Sequence, residues 1–203
     1  MPESGTSFGN VLAVLDAVNT HETAVRIIDK AALGERVTML GFSFDRKEIV
    51  QALVGARRRG CIVRVVLDHN MTLQGKTKEQ YSSAEELASC GVLVRVASGI
   101  PLKPEYDMVG RSAPAYLKGI QHAKAVIAGR EAVIGSANWT TCSRSNQEMG
   151  VHIELNASHA GVIEEMFLSR WHDGMDVEDA SKAAVHRARS NSPTGRGLRR
   201  GWW

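Results

Sequence analysis

The sequence contains few cysteines and no long apolar stretch. Its three cysteines are scattered and form no Cys-x-x-Cys pair: Cys61, Cys90 and Cys142. This spacing excludes a disulfide framework and a zinc site built from such pairs. We expect reduced and mostly buried thiols, as in a reducing compartment such as the cytoplasm. Because no run of about 18 apolar residues is present, no membrane-spanning helix is predicted.

Targeting signals, repeats and metal-binding clusters are also missing. The first ten residues are polar and lack both the pattern of a secretory signal and the arginines of a transit peptide. No segment repeats, and no acidic cluster has the spacing of metal ligands. The length of 203 residues suits one domain with a full core, which we expect over residues 1–176. Residues 177–203 are predicted to be a basic, disordered tail.

Positive charge is concentrated at the C-terminal end. Residues 187–203 contain five arginines and no acidic residue, and subtracting these five charges from the net charge of +3 leaves −2 for residues 1–186. The nearly neutral body gives little support for nucleic-acid binding by charge alone. The tail ends in Trp202 and Trp203, and three roles are open to it. It binds a phosphate backbone with aromatic stacking, it lies on an anionic membrane surface, or it stays solvated.

Short apolar runs alternate with segments of helical periodicity. Strands are predicted over residues 10–15, 36–44, 61–67, 92–97 and 149–155, and helices over residues 22–33, 45–59, 79–90 and 157–172. This alternation is typical of βαβ units, so we expect an α/β fold with a mixed, largely parallel central sheet flanked by helices. Asn19 or Thr20 is predicted to cap the first helix, and Asp45 the second. Loops are predicted at 69–78 and at 98–118, the second beside the functional site.

Candidate functional residues concentrate in residues 121–150. The apolar runs AVIA and AVI predict a β-hairpin with its turn at residues 129–131. Alternation along a strand then places His122 and Lys124 on one face, because residues i and i+2 point the same way. A Gly-Ser-x-Asn turn follows, and an Asn-x-Glu sequence closes the segment. A basic pair beside such a turn is suited to binding a phosphate.

Three short motifs therefore follow one another in this segment: His122-x-Lys124, Gly135-Ser136-x-Asn138 and Asn146-x-Glu148. Their order resembles the phospholipase D superfamily. The chain is most similar to members with a single His-x-Lys motif, namely small bacterial endonucleases and the mitochondrial cardiolipin hydrolase type. The resemblance covers about residues 10–172 and implies a phospholipase D-like fold.

The resemblance also implies a homodimer, and it shows one departure. Single-motif members are homodimers whose motif histidines meet across a two-fold axis, so His122 is expected to face its own copy. One His122 then attacks the substrate while the other protonates the leaving group. The family pattern has a structural aspartate five residues after the lysine, where this chain has Gly129.

Each motif residue has an expected role in phosphodiester cleavage. His122 is the nucleophile and forms a phosphohistidine. Lys124, Ser136 and Asn138 bind the phosphoryl oxygens. Glu148 holds the far ring nitrogen of His122 and thereby fixes its tautomer.

Two further residues are expected to support the site. Asn146 shapes the turn before Glu148. Asp68, at the end of a predicted strand, supports the site or only caps the next helix or turn, and His69 beside it is expected near the cleft. Since a lysine and amide groups supply the electrostatic stabilisation, no metal and no other cofactor is expected.

Three functions remain open at this point. The first is a metal-independent endonuclease acting on single-stranded nucleic acid or with little sequence preference. The second is a phospholipase D or cardiolipin hydrolase acting on lipid headgroups, with the tail and residues 98–118 supplying the surface contact. The third is an inactive structural subunit with the same fold, which Gly129 alone suggests. Small size, the single motif and the lack of a membrane helix favour the first.

Overall fold

The computed structural model describes residues 10–75, 78–101 and 118–190. Strands in these ranges form one sheet: β1 (Val11–Leu15), β2 (Arg36–Gly41), β3 (Ile62–Asp68), β4 (Leu93–Pro101), β5 (Lys118–Ile120), β6 (Ala125–Ala128), β7 (Glu131–Gly135), β8 (Gly150–Glu154) and β9 (Met175–Asp176). The strand order is β1-β8-β7-β6-β2-β3-β4-β5, and β9 pairs with β4. The α-helices of the same ranges are α1 (Ala17–Lys30), α2 (Lys47–Arg58), α3 (His69–Gln74), α4 (Glu79–Ser89), α5 (Ala157–Asp173) and α6 (Val177–Ser190).

The sheet is mixed, as predicted, but the prediction that it is largely parallel is wrong. Strand β3 pairs in parallel with β2 and with β4, whereas the other pairings of the described strands are antiparallel. Strands and helices alternate in the first half of the chain, and crossover helices give parallel pairs. From β6 to β8 the strands follow one another without a crossover helix, so neighbours run antiparallel.

The sheet carries helices on both faces and a core on each. Helices α1, α2 and α4 pack on one face, where Ile28, Leu53 and Leu87 meet the buried valines of the central strands. Each fully buried side chain of this kind stabilises the fold by about 1.5–3 kcal/mol. Helix α5 packs on the other face, where Phe167 contacts Leu40 and its neighbours on the sheet.

A charged contact fixes α5 against the central strands. The Arg64 guanidinium on β3 donates to both carboxylate oxygens of Glu164 at 2.8 Å and lies 4.5 Å from the centre of the Phe167 ring. Arg36 on β2 binds the same carboxylate at 3.0 Å. The helix therefore covers the β2–β3–β4 part of this face.

Two predicted helix caps are wrong. Helix α1 starts earlier than predicted because Asp16, not Asn19 or Thr20, accepts the backbone N–H of Asn19 at 2.8 Å. Asp45 does not cap α2, since its carboxylate accepts the backbone N–H of Thr141 at 2.7 Å. Asp45 thereby joins the segment after β2 to the segment after β7.

Both predicted loops contain regular structure. Within residues 69–78, Asp68 accepts the backbone N–H of Met71 at 2.9 Å and starts the short helix α3. Within residues 98–118, β4 continues to Pro101 and β5 begins at Lys118. Residues 102–117 lie outside the described residues.

The prediction that the chain is disordered from residue 177 is wrong for residues 177–190, which form α6. Val177 and Ala180 are buried in the core, and the Tyr81 hydroxyl on α4 donates to Ser181 at 3.0 Å. Two buried apolar residues therefore hold α6 against the core, although the rest of this helix is largely polar. Residues 191–203, with the two terminal tryptophans, lie outside the described residues. In the described part of the chain, no helix is long and apolar enough to cross a membrane.

Candidate active site

Three chain segments meet at one end of the sheet. The predicted hairpin is confirmed as β6 and β7, and the antiparallel pair Leu40–Ala125 places the start of β6 at the carboxyl end of β2. Lys124 accepts the backbone N–H of Gly135 at 3.3 Å, and Ser136 donates its backbone N–H to Met149 at 3.0 Å. The register therefore brings the three motifs together although they are separated in sequence.

His122 and Lys124 are in contact, but not for the reason predicted. Both residues precede β6, which begins at Ala125, so strand alternation does not apply to them. The Lys124 ammonium lies 2.9 Å from Nδ1 and 3.0 Å from Nε2 of His122. One ammonium cannot lie along the in-plane lone pairs of both nitrogens, so this is a close charge contact rather than a directional hydrogen bond. His122 is exposed, whereas Lys124 is only 6% exposed.

Phe42 is a site residue that sequence reasoning missed. Its ring lies 4.6 Å from the His122 ring, centre to centre, at an angle of 55°. The Lys124 ammonium lies 5.4 Å from the same ring centre, within the range of a cation–π interaction. Phe42 therefore contacts both members of the pair. Its position directly after β2 was the available signal, but the strand predicted over residues 36–44 included it.

A buried glutamine on α4 holds the Phe42 segment in place. The Gln80 amide accepts the backbone N–H of Phe44 at 2.9 Å and donates to the carbonyl of Phe42 at 3.3 Å and to the hydroxyl of Thr72 at 2.9 Å. Sequence reasoning missed Gln80 as well, because a polar residue on a helix is ordinarily solvated.

Asp68 caps α3, as one interpretation of the sequence predicted, and it also contacts the segment that carries His122. It is 1% exposed, and its second carboxylate oxygen accepts the backbone N–H of Gln121 at 3.0 Å. Gln121 in turn donates its side-chain amide to the carbonyl of Ala123 at 3.1 Å. The segment on either side of His122 is therefore tied to the end of β3.

Glu148 does not hold His122, so that expectation is wrong. Its two carboxylate oxygens accept from the Ser136 hydroxyl and from the Asn146 amide, the latter at 3.2 Å. These bonds explain why no described hydrogen bond joins Glu148 to His122. Burial lowers the pKa of Lys124, and the negative charge of Glu148 acts in the opposite direction. Glu148 therefore acts on the lysine of the pair.

Asn138 lies in the loop that follows β7, close in sequence to the site segment Gly135–Ser136. Its side-chain oxygen is buried without a hydrogen-bond partner among the described residues, and its side-chain nitrogen makes none there either. The next residue, Trp139, is fully buried and donates its indole N–H to the carbonyl of Leu40 at 2.8 Å. The carbonyl of Asn138 lies 2.8 Å from Nε2 of His21, a buried residue of α1.

A cleft of about 520 Å³ adjoins His122. Among its lining residues are Leu40, Ile120 and Ala123 from the sheet side and Met166 and Arg170 from α5. The wall beside His122 is thus largely apolar. Within the residues described, no three His, Cys, Asp or Glu side chains are grouped closely enough to hold a metal ion.

Comparison with known proteins decides the family. A family model described as "Cardiolipin synthase, PLD-like domain" matches residues 24–171. The chain belongs to the phospholipase D superfamily. No protein in a search of curated sequences matches it.

Solved structures with this phospholipase D fold are similar over most of the chain. Nuc, a phospholipase D family member from Salmonella typhimurium, is 24% identical with a TM-score of 0.64, and the match covers 81% of this chain and 97% of Nuc. NucT from Helicobacter pylori is 16% identical with the same TM-score and the same coverage. TrmBL2, an archaeal chromatin protein with a novel mode of DNA binding, is 14% identical with a TM-score of 0.55 over 86% of this chain and 56% of its own.

The departure from the phospholipase D motif lies far from His122. Gly129 follows β6, and the five residue steps from Lys124 to Gly129 span roughly 16 Å in an extended strand. Gly129 has a φ of 56°, and a Cβ there would lie 3.0 Å from a carboxylate oxygen of Glu35. A second cleft, of about 570 Å³, opens beside Gly129. The position of the missing aspartate is therefore well separated from His122 along β6.

Proposed function

We propose that this protein is a metal-independent phosphodiesterase that works through a phosphohistidine on His122. Phospholipase D superfamily members are phosphodiesterases. The observation that carries the proposal is an exposed imidazole in contact with a buried ammonium. Asn138, in the loop that follows β7, has a side-chain oxygen without a hydrogen-bond partner among the described residues. Lys124 and Asn138 stabilise the negative charge that develops on the phosphoryl oxygens, the role that a metal ion has in other enzymes.

The reaction has two steps. A ring nitrogen of His122 attacks phosphorus, the bond to the leaving oxygen breaks, and a proton is transferred to that oxygen. Water then attacks the phosphohistidine and gives its proton to the group that protonated the leaving oxygen, while the phosphorus–nitrogen bond breaks, so that both groups are regenerated. Phe42 restricts the His122 ring, so the nucleophile needs little reorganisation before attack.

The first step needs an acid for the leaving oxygen, and a second copy of the chain supplies it. Each chain carries one His-x-Lys motif, so we propose a homodimer in which the second His122 protonates the leaving group. The exposure of His122 in the single chain agrees with a site that is completed by another subunit.

An apolar surface beside His122 fits this second copy. Successive cross-strand pairs join Leu40, Ala125, Ile134, Val151 and Val14, so these side chains share the sheet face that carries α5. Val14, at the far edge of this row, is 70% exposed.

Helix α5 adds its own exposed apolar residues to the same face. Val162 and Met166 are 54% and 64% exposed, and Met166 also lines the cleft at His122. We call this surface, formed by Val14, Val151, Val162 and Met166, the α5-side face. Because it adjoins a site that lacks one histidine, we assign it to the two-fold contact.

Nucleic acid is the proposed substrate, with single-stranded DNA or RNA as the first choice. The similarity to Nuc and NucT over 97% of their chains, and to the DNA-binding TrmBL2, supports this choice. The decisive test is cleavage of a fluorescent single-stranded oligonucleotide in EDTA. We expect turnover that falls by at least about 10³-fold in His122→Ala, with radioactive phosphate trapped on the wild type after acid quenching.

A lipid headgroup is the second candidate, and the apolar wall of the cleft favours it. Ile120 and Met166 would lie against acyl or glycerol groups while Lys124 binds the phosphate. Headgroup release from cardiolipin or phosphatidylcholine vesicles, without oligonucleotide cleavage, would assign this activity instead. An absence of turnover on both substrates, with no phosphate trapped on His122, would leave the protein as an inactive structural subunit.

A further inference from the structure

His21 is a buried titratable residue that the proposed mechanism does not use. It lies on α1, is 1% exposed, and its ring is 5.7 Å from the Trp139 ring, centre to centre. Its Nε2 lies 2.8 Å from the carbonyl oxygen of Asn138. An apolar side chain could fill this pocket equally well. The hydrogen bond to Asn138 is therefore the contact that only a polar residue such as His21 provides.

The surroundings of His21 select one protonation state. A carbonyl oxygen only accepts, so Nε2 must carry the hydrogen. Nδ1 is then an acceptor, and it is buried without a partner among the described residues. A second proton would place a charge in this pocket with no acceptor for it. Burial lowers the pKa of His21, and the charges of Arg46 and Arg144 act in the same direction, against the Asn138 hydrogen bond and Asp45.

The hydrogen bond constrains the backbone that aims the Asn138 side chain. His21 is the one partner of the Asn138 carbonyl among the residues described. On the other side of the same peptide, Trp139 donates its backbone N–H to Ser43 at 3.1 Å. The peptide plane is therefore held at both of its polar groups. The Asn138 amide has no hydrogen bond of its own in the described structure, so its direction depends on this backbone.

We propose that neutral His21 is a positioning residue that aims the Asn138 amide at the phosphoryl oxygen. The inference rests on the proposed function of the site. His21 itself touches no substrate and transfers no proton.

The test compares His21→Leu with His21→Gln in hydrolysis of bis(4-nitrophenyl) phosphate, a chromogenic phosphodiester. Leucine fills the pocket without a donor, whereas the glutamine amide places an N–H near the position of Nε2. We expect kcat to fall roughly tenfold to a hundredfold in His21→Leu with KM within about twofold, and glutamine to restore most of the loss. In Asn138→Ala, adding His21→Leu should cause no further loss, because His21 acts through Asn138.

Ile28→Ala is the matched control, since Ile28 is equally buried on α1 and lies two helical turns after His21. It should lower the melting temperature and leave kcat unchanged. Wild-type kcat in a folded His21→Leu variant would overturn the inference. So would a double variant in which the losses of kcat from His21→Leu and Asn138→Ala add up. The single variant Asn138→Ala tests the proposed function separately.

A second measurement decides the inference if the wild type shows no turnover, an outcome that would overturn the proposed function. The side-chain amide signals of Asn138 are followed by NMR. They should shift in His21→Leu and stay unchanged in Ile28→Ala. Unchanged signals in His21→Leu would show that His21 does not position the amide.

Discussion

The carboxylate of Asp68 accepts the backbone N–H of Gln121 at 3.0 Å, and Gln121 immediately precedes His122. The other carboxylate oxygen starts helix α3. One buried side chain therefore fixes the nucleophile's segment to the carboxyl end of a central parallel strand, where ligand sites of open α/β sheets are found.

Asp68→Asn should weaken both stability and activity. The asparagine keeps one accepting oxygen but turns an NH₂ group toward a backbone N–H, so one donor loses its partner. We expect the free energy of unfolding to fall by about 1–3 kcal/mol in urea titrations, together with a lower kcat. Asp16→Asn is the control, because Asp16 caps α1, makes no hydrogen bond to residues 121–124 among those described, and asparagine caps equally well. Wild-type kcat in Asp68→Asn would contradict the assigned role.

Phe42→Leu should reduce activity more than stability. The leucine fills part of the half-buried site but lacks the ring face that contacts His122 and Lys124. Since such aromatic and cation–π contacts contribute about 0.5–1.5 kcal/mol, we expect kcat to fall by up to roughly tenfold. Phe42→Trp should retain most of the activity. Phe44→Leu, in the core two residues later, should lower the melting temperature without this kinetic effect.

Activity should be lost at high pH as Lys124 loses its proton. Burial lowers the pKa of Lys124, so the loss is expected below the ordinary lysine range near about 10.4. Activity is full below the lowered pKa and declines as the pH rises through it. Glu148→Gln removes the charge that raises this pKa, so the decline should move to lower pH. Lys124→Arg should remove the decline, and an unchanged profile in both variants would assign it to another group.

Gly129→Asp should not improve the enzyme. The position has a positive φ, and the new carboxylate would lie against Glu35, so like charges would face each other. We expect a lower melting temperature and unchanged kcat. Gly129→Asn separates the two effects, because asparagine tolerates this backbone conformation and carries no charge. A gain in kcat for the aspartate variant would show that the family aspartate contributes to the chemistry.

Charges placed on the α5-side face should dissociate the dimer. Val14→Asp and Met166→Asp are each expected to shift sedimentation toward the monomer and to reduce activity in parallel, because the site loses its second His122. Leu33→Asp is the control, since Leu33 is 81% exposed and follows α1, on the opposite face of the sheet. A monomeric wild type with full activity would contradict the two-histidine proposal.

Local pattern predicted the elements well where burial is continuous. Strands were predicted correctly at the apolar runs of β2, β3, β6 and β7, and a glycine separates the last two. Strand direction could not be obtained in this way, because it depends on connections rather than on composition. Helix α6 was missed because two buried residues, Val177 and Ala180, dock an otherwise polar segment.

The sequence indicated the motif residues of the candidate site, but it did not indicate the residues that hold them in place. The fold brings the three motifs to one end of the sheet, where His122 contacts Lys124 and Ser136 contacts Glu148, and the catalytic roles stay predictions. Glu148 has other partners than predicted because Ser136 and Asn146 compete for its carboxylate. Three supporting residues were not predicted: Phe42, Gln80 and His21. Each lies far from the motifs in sequence, and only the fold brings it to the site.

Helix α6 has a practical consequence for the end of the chain. Its first turn fills the core beside α4, and β9 just before it pairs with β4. Trimming at residue 176 would strip Val177 and Ala180 from the core, and the shortened protein would expose apolar surface and aggregate.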